Sequence, residues 1–245
     1  MVYELYYWPG IQGRGEYPRL ALEEAGADYV DVARLPEDEG GGEGAVLRLL
    51  HGAHGQPTPF AVPCLKAGRL LIGQTANILM FLGERLRLAP ADAPGRLWTH
   101  QLQLTLADLV AEVHDTHHPL GSSLYYEQQK SAARLRSRAF LAHRLPKFLD
   151  YFEQVITRNR GRGPWMVGSR LTYVDLSMAQ VIAGLRFAFP KASRRALRSR
   201  PKLLRLHETA FDRPRIRRYL DSERRVPFNN DGIFRHYPEL DQFRS

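Results

Sequence analysis

The hydrophobic positions of the chain change their spacing after about residue 88. Before that point, short segments with alternating apolar residues lie between segments in which apolar residues recur every three or four positions. Val2–Trp8 has the alternating pattern and is followed by Pro9 and Gly10, so it is predicted as a strand that ends in a turn. A helix over Gly13–Gly26 and a second strand over Asp28–Arg34 follow, which predicts a βαβ opening.

The rest of this region is predicted as an irregular segment, a hairpin and a helix. Residues 36–59 are rich in glycine and proline and are predicted as a loop around a short helix at Ala45–Leu50. Phe60–Lys66 and Arg69–Ile72 form the predicted hairpin, and Thr75–Leu86 follows as an apolar helix. Residues 1–88 are therefore predicted as one α/β domain of the order βαβ-α-ββα.

The remainder of the chain is predicted to be helical. Prolines and a glycine in residues 89–95 predict a linker, and residues 96–245 then form the second domain. Helical spacing is clearest in Leu97–Asp115, Gln128–Ile156 and Val174–Phe189. The last of these is almost wholly apolar but too short for a membrane span, so we expect it to be the buried central helix of an all-α bundle.

The start of this central helix carries a complete capping signature. Thr172 is a natural N-cap, and Asp175 lies three residues later, where its carboxylate can accept from the Thr172 N–H. Leu171 and Leu176 occupy the two positions of a hydrophobic staple. These residues predict a helix that begins immediately after Thr172.

Composition narrows the class of protein. Hydrophobic residues make up 44% of the 245-residue chain, which is enough for a packed core. No run is long enough for a membrane helix, no signal segment is evident, and Cys64 has no second cysteine with which to pair. We therefore expect a soluble cytoplasmic protein without membrane insertion.

The net charge of +9 is concentrated in one late segment. Residues 191–225 contain thirteen Lys and Arg against four Asp and Glu, and apolar residues recur among them at helical spacing. This pattern predicts amphipathic helices with an arginine-rich outer face, and no nucleic-acid-binding motif accompanies it. The aromatic segment Val226–Pro238 that follows is expected to pack back on the body of the protein.

The predicted architecture and three short motifs together resemble the cytosolic glutathione transferases over nearly the whole chain. The motifs are Val62-Pro63 before a strand, Gly73-Gln74-Thr75 at a helix start, and Thr172-Tyr173-Val174-Asp175. The pattern is closest to tyrosine-type, bacterial-like members of the pi and sigma-type classes. The resemblance implies a thioredoxin-like first domain, a helical-bundle second domain and glutathione as co-substrate.

The resemblance also implies a set of glutathione-binding residues. A cis Val62-Pro63 bond would turn the Val62 backbone outward, where it can pair with an extended peptide such as glutathione. Gln74 and Thr75 offer donors to a carboxylate at a helix N-terminus. Arg14 resembles the family's arginine that supports the carboxylate or the tyrosine, and Asp108 resembles an acidic residue that reaches the glutathione amine of the partner subunit.

Catalysis by such an enzyme requires the glutathione thiol to be mostly thiolate at neutral pH. In the tyrosine-type classes a hydroxyl at the end of the first strand stabilises the thiolate, and Tyr6 and Tyr7 both occupy that region. Strand alternation sends the two side chains to opposite faces. Tyr7-Trp8-Pro9 matches the family's Tyr-Phe-Pro better, so Tyr7 is the predicted catalytic residue, although it lies one residue farther from Gly13-Arg14 than in the family.

Other functions fit the sequence less well. A thiol redox enzyme would need cysteine at the first turn, and a serine- or cysteine-type transferase would need one of those residues between Tyr7 and Glu16, where neither occurs. His114, His117 and His118 share a helical face but lack a second ligand cluster, so no metal is expected. A glutathione-dependent isomerase and a non-catalytic binding module of the same fold remain alternatives.

The resemblance finally implies partners and a role. It implies a homodimer that conjugates glutathione to a small hydrophobic electrophile in detoxification, with no role in nucleic-acid binding. Nothing in the sequence identifies the electrophile.

Overall fold

The computed structural model describes residues 1–52 and 58–242, so part of the predicted loop, residues 53–57, lies outside the described residues. Within them the chain forms four strands and ten α-helices. The strands are β1 Tyr3–Tyr6, β2 Tyr29–Asp31, β3 Cys64–Ala67 and β4 Leu70–Gly73. The helices are α1 Glu16–Ala25, α2 Gly42–Leu50, α3 Thr75–Arg85, α4 Ala93–Asp115, α5 Lys130–Ala139, α6 Leu145–Arg158, α7 Tyr173–Ala188, α8 Pro190–Arg198, α9 Pro201–Phe211 and α10 Pro214–Leu220.

The four strands form one sheet in the order β2-β1-β3-β4. β1 pairs parallel with β2 and antiparallel with β3, and β3 pairs antiparallel with β4. Leu5 and Leu65 pack on one face with residues of α1 and α3, whereas Tyr6 and Cys64 pack on the other with α2. The predicted fold class, a thioredoxin-like α/β region followed by a helical one, is confirmed.

The core of the helical region is built around α7, as its apolar sequence predicts. Thirteen of the sixteen residues of α7 are buried, and α7 packs against α1, α4, α8 and α9. The Asp175 carboxylate accepts from the Thr172 N–H and hydroxyl, both at 2.8 Å, and from the Met166 N–H at 2.8 Å. The predicted cap is therefore confirmed, and it also ties down the loop that precedes the helix.

Several predicted elements have different bounds in the structure. The second strand ends at Asp31 and continues as a 3-10 turn over Val32–Arg34, and a 3-10 turn over Gly13–Gly15 precedes α1. The predicted long helix Gln128–Ile156 is in fact α5 and α6 joined by a π-helical segment, Phe140–Arg144. Alternation and helical periodicity in the sequence do not reveal these local changes of hydrogen bonding.

The predicted linker is also shorter than expected, because α4 begins at Ala93. Pro94 and Gly95 lie inside the first turn of this helix, where the N–H that proline lacks would have no partner in any case. The Asp92 carboxylate caps the helix by accepting from the Gly95 N–H at 2.7 Å. No helix among the described residues is long and apolar enough to cross a bilayer.

The basic segment folds into α8, α9 and α10 with the predicted amphipathic pattern. Leu197, Leu203, Leu206, Ile216 and Tyr219 are buried, and most of the arginines are exposed. The aromatic segment after it packs back on the body, because Ile233 and Phe234 are buried. A phenylalanine ring fits there only because position 184 on α7 is glycine.

Candidate active site

The candidate glutathione-site residues next to β1, β3 and β4 lie at one end of the sheet. Tyr6 pairs with Cys64, and Cys64 pairs with Gly73. Tyr7, Pro63 and Gln74, which directly follow or precede these residues, therefore share that end of the sheet. The Val62–Pro63 peptide bond is cis, as the resemblance implied.

The Tyr7 hydroxyl is held by the backbone of the turn before α1. Tyr7 is 5% exposed, and its hydroxyl oxygen accepts from the Arg14 N–H at 2.9 Å. This bond uses a lone pair on the oxygen and leaves the O–H proton available for an acceptor in the cleft. The arrangement can therefore donate a hydrogen bond without any reorganisation of the turn.

Two glycines and one arginine surround the Tyr7 ring. A β-carbon at Gly13 would lie 2.8 Å from ring carbons of Tyr7, and one at Gly15 would lie 2.5 Å from its Cγ. The guanidinium carbon of Arg19 lies 5.8 Å from the ring centroid. The ring thus occupies a slot that exists because the turn has no side chains at positions 13 and 15.

The Tyr7 hydroxyl stays protonated at neutral pH. Burial raises its pKa above the ordinary tyrosine value, and the Arg14 N–H and the positive charges of Arg14 and Arg19 act in the opposite direction. A protonated phenol that receives a hydrogen bond at its oxygen is a better donor through its own O–H. Tyr7 is accordingly suited to stabilise an anion and not to act as one.

Tyr6 points to the opposite face of the sheet, as alternation predicts. Its side chain packs in a small cluster with Val32, Leu49 and Cys64, and its hydroxyl donates to Glu4 at 2.8 Å. Burial and the Glu4 carboxylate raise its pKa. This environment is that of a structural tyrosine beneath α2.

Cys64 is not a nucleophile in this environment. The residue is fully buried in the same cluster, and burial raises the pKa of its thiol to about 11. The thiol is therefore protonated at neutral pH.

The start of α3 presents unpaired backbone donors next to Arg14. Gln74 is the N-cap of α3, makes no side-chain cap and has φ of 68°. The first N–H groups of an α-helix have no partner within the helix, so those of Thr75 and the next residues face outward. The Thr75 hydroxyl donates to the Arg14 carbonyl at 3.3 Å. A single residue, Arg14, thus links Tyr7 and Thr75 through its two backbone groups.

The last predicted site residue, Asp108, is separate from this arrangement. It is exposed on α4 and has no hydrogen bond or ion pair with the described part of the chain. The Arg14 guanidinium, by contrast, lies close enough to the end of α4 to lower the pKa of His114, after the larger effect of burial. The structure of one chain therefore brings together Tyr7, Arg14, Thr75 and their neighbours but not Asp108.

Sequence reasoning missed a buried polar network beneath Tyr7. Arg19 is fully buried and forms ion pairs with Asp31 at 2.6 Å and Glu16 at 3.3 Å. Glu16 is also fully buried, pairs with Arg225 and accepts from the Tyr219 hydroxyl at 2.9 Å. The only local signal was the spacing of Glu16 and Arg19, which is equally typical of an exposed helical ion pair.

The same network reaches the central helix through two glutamines. Gln180 on α7 donates to the Gln12 side chain at 2.7 Å and accepts from Arg225 at 2.9 Å. Gln12 in turn donates to the Val226 carbonyl at 2.5 Å. The turn that holds Tyr7 is therefore fixed against both the helical region and the C-terminal segment.

The C-terminal segment also packs against the histidines at the end of α4. The Ile233 carbonyl lies 2.8 Å from His117 Nε2, which must therefore carry the proton, and His117 Nδ1 then accepts from His118 Nδ1. Burial lowers the pKa of His117 to about 3 and that of His114 to about 4, so both rings are neutral at pH 7. No group of side chains within residues 1–52 and 58–242 is arranged to hold a metal ion.

Comparison with known proteins gives the same picture. Residues 114–223 match the family model for the glutathione S-transferase C-terminal domain. The chain is 24% identical to a glutathione S-transferase of Plasmodium falciparum over 90% of this chain and 95% of that protein. It is also 24% identical to glutathione S-transferase P 1 of Xenopus laevis over 91% of this chain and 93% of that protein.

Solved structures share the whole architecture. The Pi-class glutathione S-transferase of Onchocerca volvulus superposes with a TM-score of 0.68 at 22% identity, over 95% of this chain and 99% of that one. Monomeric Na-GST-3 of Necator americanus superposes with a TM-score of 0.67 at 16% identity, over 93% and 100% of the two chains. A four-stranded sheet with a cis-proline and a buried tyrosine, followed by a helical body, defines a protein of the glutathione-transferase fold. The chain therefore has the glutathione-transferase fold, and residues 114–223 match the C-terminal domain of that family.

Proposed function

We propose that the protein is a glutathione transferase in which the Tyr7 hydroxyl donates a hydrogen bond to the glutathione thiolate. The observation that carries the proposal is the Tyr7 oxygen held by the Arg14 N–H at 2.9 Å, with the O–H left to donate. The thiolate then attacks a small hydrophobic electrophile and forms a carbon–sulfur bond. In a substitution, the leaving group departs with the electron pair of its bond to carbon. In an addition, the electron pair of an activated double bond moves away from the attacked carbon, which leaves a carbanion that is then protonated.

The remaining parts of glutathione have matching groups around Tyr7. The backbone of Val62 before the cis Pro63 pairs with the peptide as an added strand. The N-terminal N–H groups of α3 at Thr75, together with the Gln74 amide, receive a carboxylate. Arg14 supplies positive charge on the same side, and glutathione is the co-substrate, with no metal in the reaction.

The energy required of Tyr7 is modest. Lowering the pKa of a thiol by about two units corresponds to roughly 2.7 kcal/mol of preferential stabilisation of the thiolate. A preorganised hydroxyl donor, the nearby start of α3 and the charge of Arg14 together provide interactions of this size. The buried network of Glu16 and Arg19 holds the turn, so that little reorganisation is needed.

The proposed electrophile site lies beside the end of α4 and the C-terminal segment. His114 is half-buried there and neutral, and the packed residues Ile233 and Phe234 give the segment an apolar inner side. In this scheme residues 1–88 bind glutathione, residues 96–245 supply the electrophile pocket, and residues 89–95 join the two domains.

A homodimer is part of the proposal, because Asp108 has no role in a single chain. Asp108 would reach the glutathione amine bound to a second copy. Exposed apolar side chains on α3 and α4, Met80, Leu97 and Leu104, support an interface on that side. We also propose a cytoplasmic location and a role in detoxification.

The proposal is tested by the absorbance of bound glutathione thiolate as a function of pH. In the unaltered protein we expect a thiol pKa about two units below that of free glutathione. Tyr7→Phe should return the pKa of the bound thiol to near its free value, and Tyr6→Phe should leave the lowered value unchanged.

The other outcomes distinguish the alternatives. Bound glutathione with an unshifted thiol in the unaltered protein would favour a non-catalytic binding module. A shifted thiol with isomerised product but no conjugate would indicate a glutathione-dependent isomerase. Loss of the shift in Tyr6→Phe alone would show that the strand register assigned to the active tyrosine is wrong.

A further inference from the structure

A cavity lies among α7, α8 and α9, and none of its lining residues belongs to the proposed glutathione site. Its volume is about 530 Å³, which is in the range of cavities that bind small organic molecules. Three arginines, Arg186, Arg194 and Arg198, line it together with Ser193. None of the described residues that line the cavity is acidic.

The charge of these three arginines is not neutralised. Each is exposed, and none forms an ion pair with a residue in the described ranges. Other arginines of the basic segment have acidic partners: Arg200 pairs with Asp150, Arg213 with Glu24, Arg217 with Asp212, Arg224 with Glu23 and Arg225 with Glu16. Uncompensated positive charge is therefore left at this cavity.

Ser193 also lines the cavity. The residue is 1% exposed, and its hydroxyl, like that of Ser177 on α7, has no hydrogen-bond partner among the described residues. Helical Thr99, Thr105 and Thr157 all donate to the carbonyl four residues earlier, which is the usual solution for a hydroxyl in a helix. Because a buried hydroxyl is rarely left unsatisfied, Ser193 is available to donate to an acceptor in the cavity.

The rest of the lining indicates what kind of anion fits. Pro190, Leu197 and Leu204 form an apolar wall beside the arginines. An inorganic anion would leave this wall exposed, whereas a ligand with an organic ring would cover it. Guanidinium groups pair in bidentate fashion with phosphate oxygens, and three of them match the two to three negative charges of a diphosphate.

We propose that this cavity binds a nucleoside diphosphate, with its phosphates on Arg186, Arg194 and Arg198 and its organic part on Leu197 and Leu204. Ser193 donates to a phosphate oxygen. The site is separate from glutathione binding and does not depend on the proposed transferase activity. A nucleic acid is disfavoured because Arg186, Arg194 and Arg198 lie together around a cavity of small-molecule size.

The test is calorimetric titration of the full-length protein with ADP, at low salt and at about 0.15 M salt. The double variant Arg194→Gln/Arg198→Gln should raise the Kd for ADP at least about tenfold. A matched control, Arg138→Gln/Arg218→Gln, removes the same charge from α5 and α10 and should change the Kd less than about twofold. Ser193→Ala should raise the Kd about threefold.

Competition experiments with pyrophosphate, adenosine and glutathione show which part of ADP the cavity binds and whether the site is separate from the glutathione site. Pyrophosphate should compete with ADP but bind more weakly, and adenosine alone should not compete. Glutathione should not displace ADP, and the Kd for glutathione should be the same in both double variants, which also shows that the cavity variant is folded.

Other results would overturn the proposal. Equal loss of ADP binding in the control variant would reveal general attraction to a basic surface. Displacement of ADP by glutathione would assign the nucleotide to the glutathione site, and a single-stranded oligonucleotide that binds more tightly than ADP would point to a polymer instead.

Discussion

Gly15 and Tyr7 are in such close contact that a β-carbon at position 15 would lie 2.5 Å from Tyr7 Cγ. The contact explains why a glycine-containing turn precedes α1, since the ring of Tyr7 occupies the volume of the missing side chain. The backbone at position 15 is right-handed, so a substitution there adds volume without backbone strain. This position therefore tests the placement of Tyr7 without changing Tyr7 itself.

We expect Gly15→Ala to lower kcat/KM for conjugation by about 10- to 100-fold, because an added methyl group must displace the ring and with it the hydroxyl. The pKa of the bound thiol should rise together with this loss. Both quantities are measured by initial rates and by the absorbance of bound thiolate.

Gly10→Ala is the matched control for this variant. A β-carbon at Gly10 meets nothing within 4 Å, so the substitution adds the same methyl group to the same β1–α1 connection without a contact. Its rate should remain within about twofold of the unaltered rate. Equal losses in the two variants would show that the turn, and not the ring contact, controls activity.

The fold could be predicted from the sequence because its main signals are local. The Thr172 cap, the Gly26 C-cap and the order of strands and helices each depend on residues a few positions apart, and the structure contains all of them. Element ends were less predictable. β2 stops at Asp31 because the following residues turn into a 3-10 helix, although the sequence continues to alternate.

The candidate site was only partly predictable, because part of it depends on contacts between residues that are far apart in the sequence. Tyr7, Gln74 and Thr75 were found from short motifs, whereas the support beneath Tyr7 joins Arg19 to residues as distant in sequence as Arg225. Nothing near Arg19 in the sequence indicates that its guanidinium is fully buried. Such long-range partners become visible only when the helices are packed.

The left-handed backbone of Gln74 leads to a second prediction. Both Gln74→Ala and Gln74→Gly remove the amide and should weaken glutathione binding by a similar factor, about tenfold. Only glycine adopts φ of 68° without steric cost, so Gln74→Gly should be more stable than Gln74→Ala by about 1 kcal/mol. Urea denaturation and glutathione titration of the pair measure the two effects separately. Equal stability of the two variants would contradict the assignment of strain to this residue.

The Asp175 cap leads to a third prediction. Asp175→Ala leaves two buried N–H groups and the Thr172 hydroxyl without their acceptor, and should lower the free energy of unfolding by about 3 kcal/mol. Asp92→Ala removes the exposed cap of α4 and should cost about 1 kcal/mol. Urea denaturation of both variants provides the comparison, and a larger loss for Asp92→Ala would refute the argument from burial.

The neutral His117 leads to a prediction about pH. Because its pKa is about 3 in the folded protein and about 6.5 in the unfolded chain, the unfolded state binds the proton first as the pH falls. Stability from this residue is therefore fully present above pH 6.5 and decreases toward pH 3. Between pH 7 and pH 5 the loss is about 2 kcal/mol.

Asp175 acts in the opposite direction over part of this range. Burial raises its folded pKa to about 6, so protonation between pH 6 and pH 4 favours the folded state. His114 and His207, whose pKa values burial lowers to about 4, act in the same direction as His117, so the total pH dependence of stability combines several groups. A difference between two proteins that both retain Asp175 isolates the histidine.

We therefore compare the unaltered protein with His117→Gln, whose amide can still donate to the Ile233 carbonyl but does not titrate. Urea denaturation at pH 7 and pH 5 should show a loss of stability that is about 2 kcal/mol smaller in the variant. Exposed His51→Gln is the control and should retain the full loss. If His117→Gln loses as much stability as the unaltered protein, the imidazole must be accessible to protons in the folded state, and its contact with the C-terminal segment must open below pH 6.5.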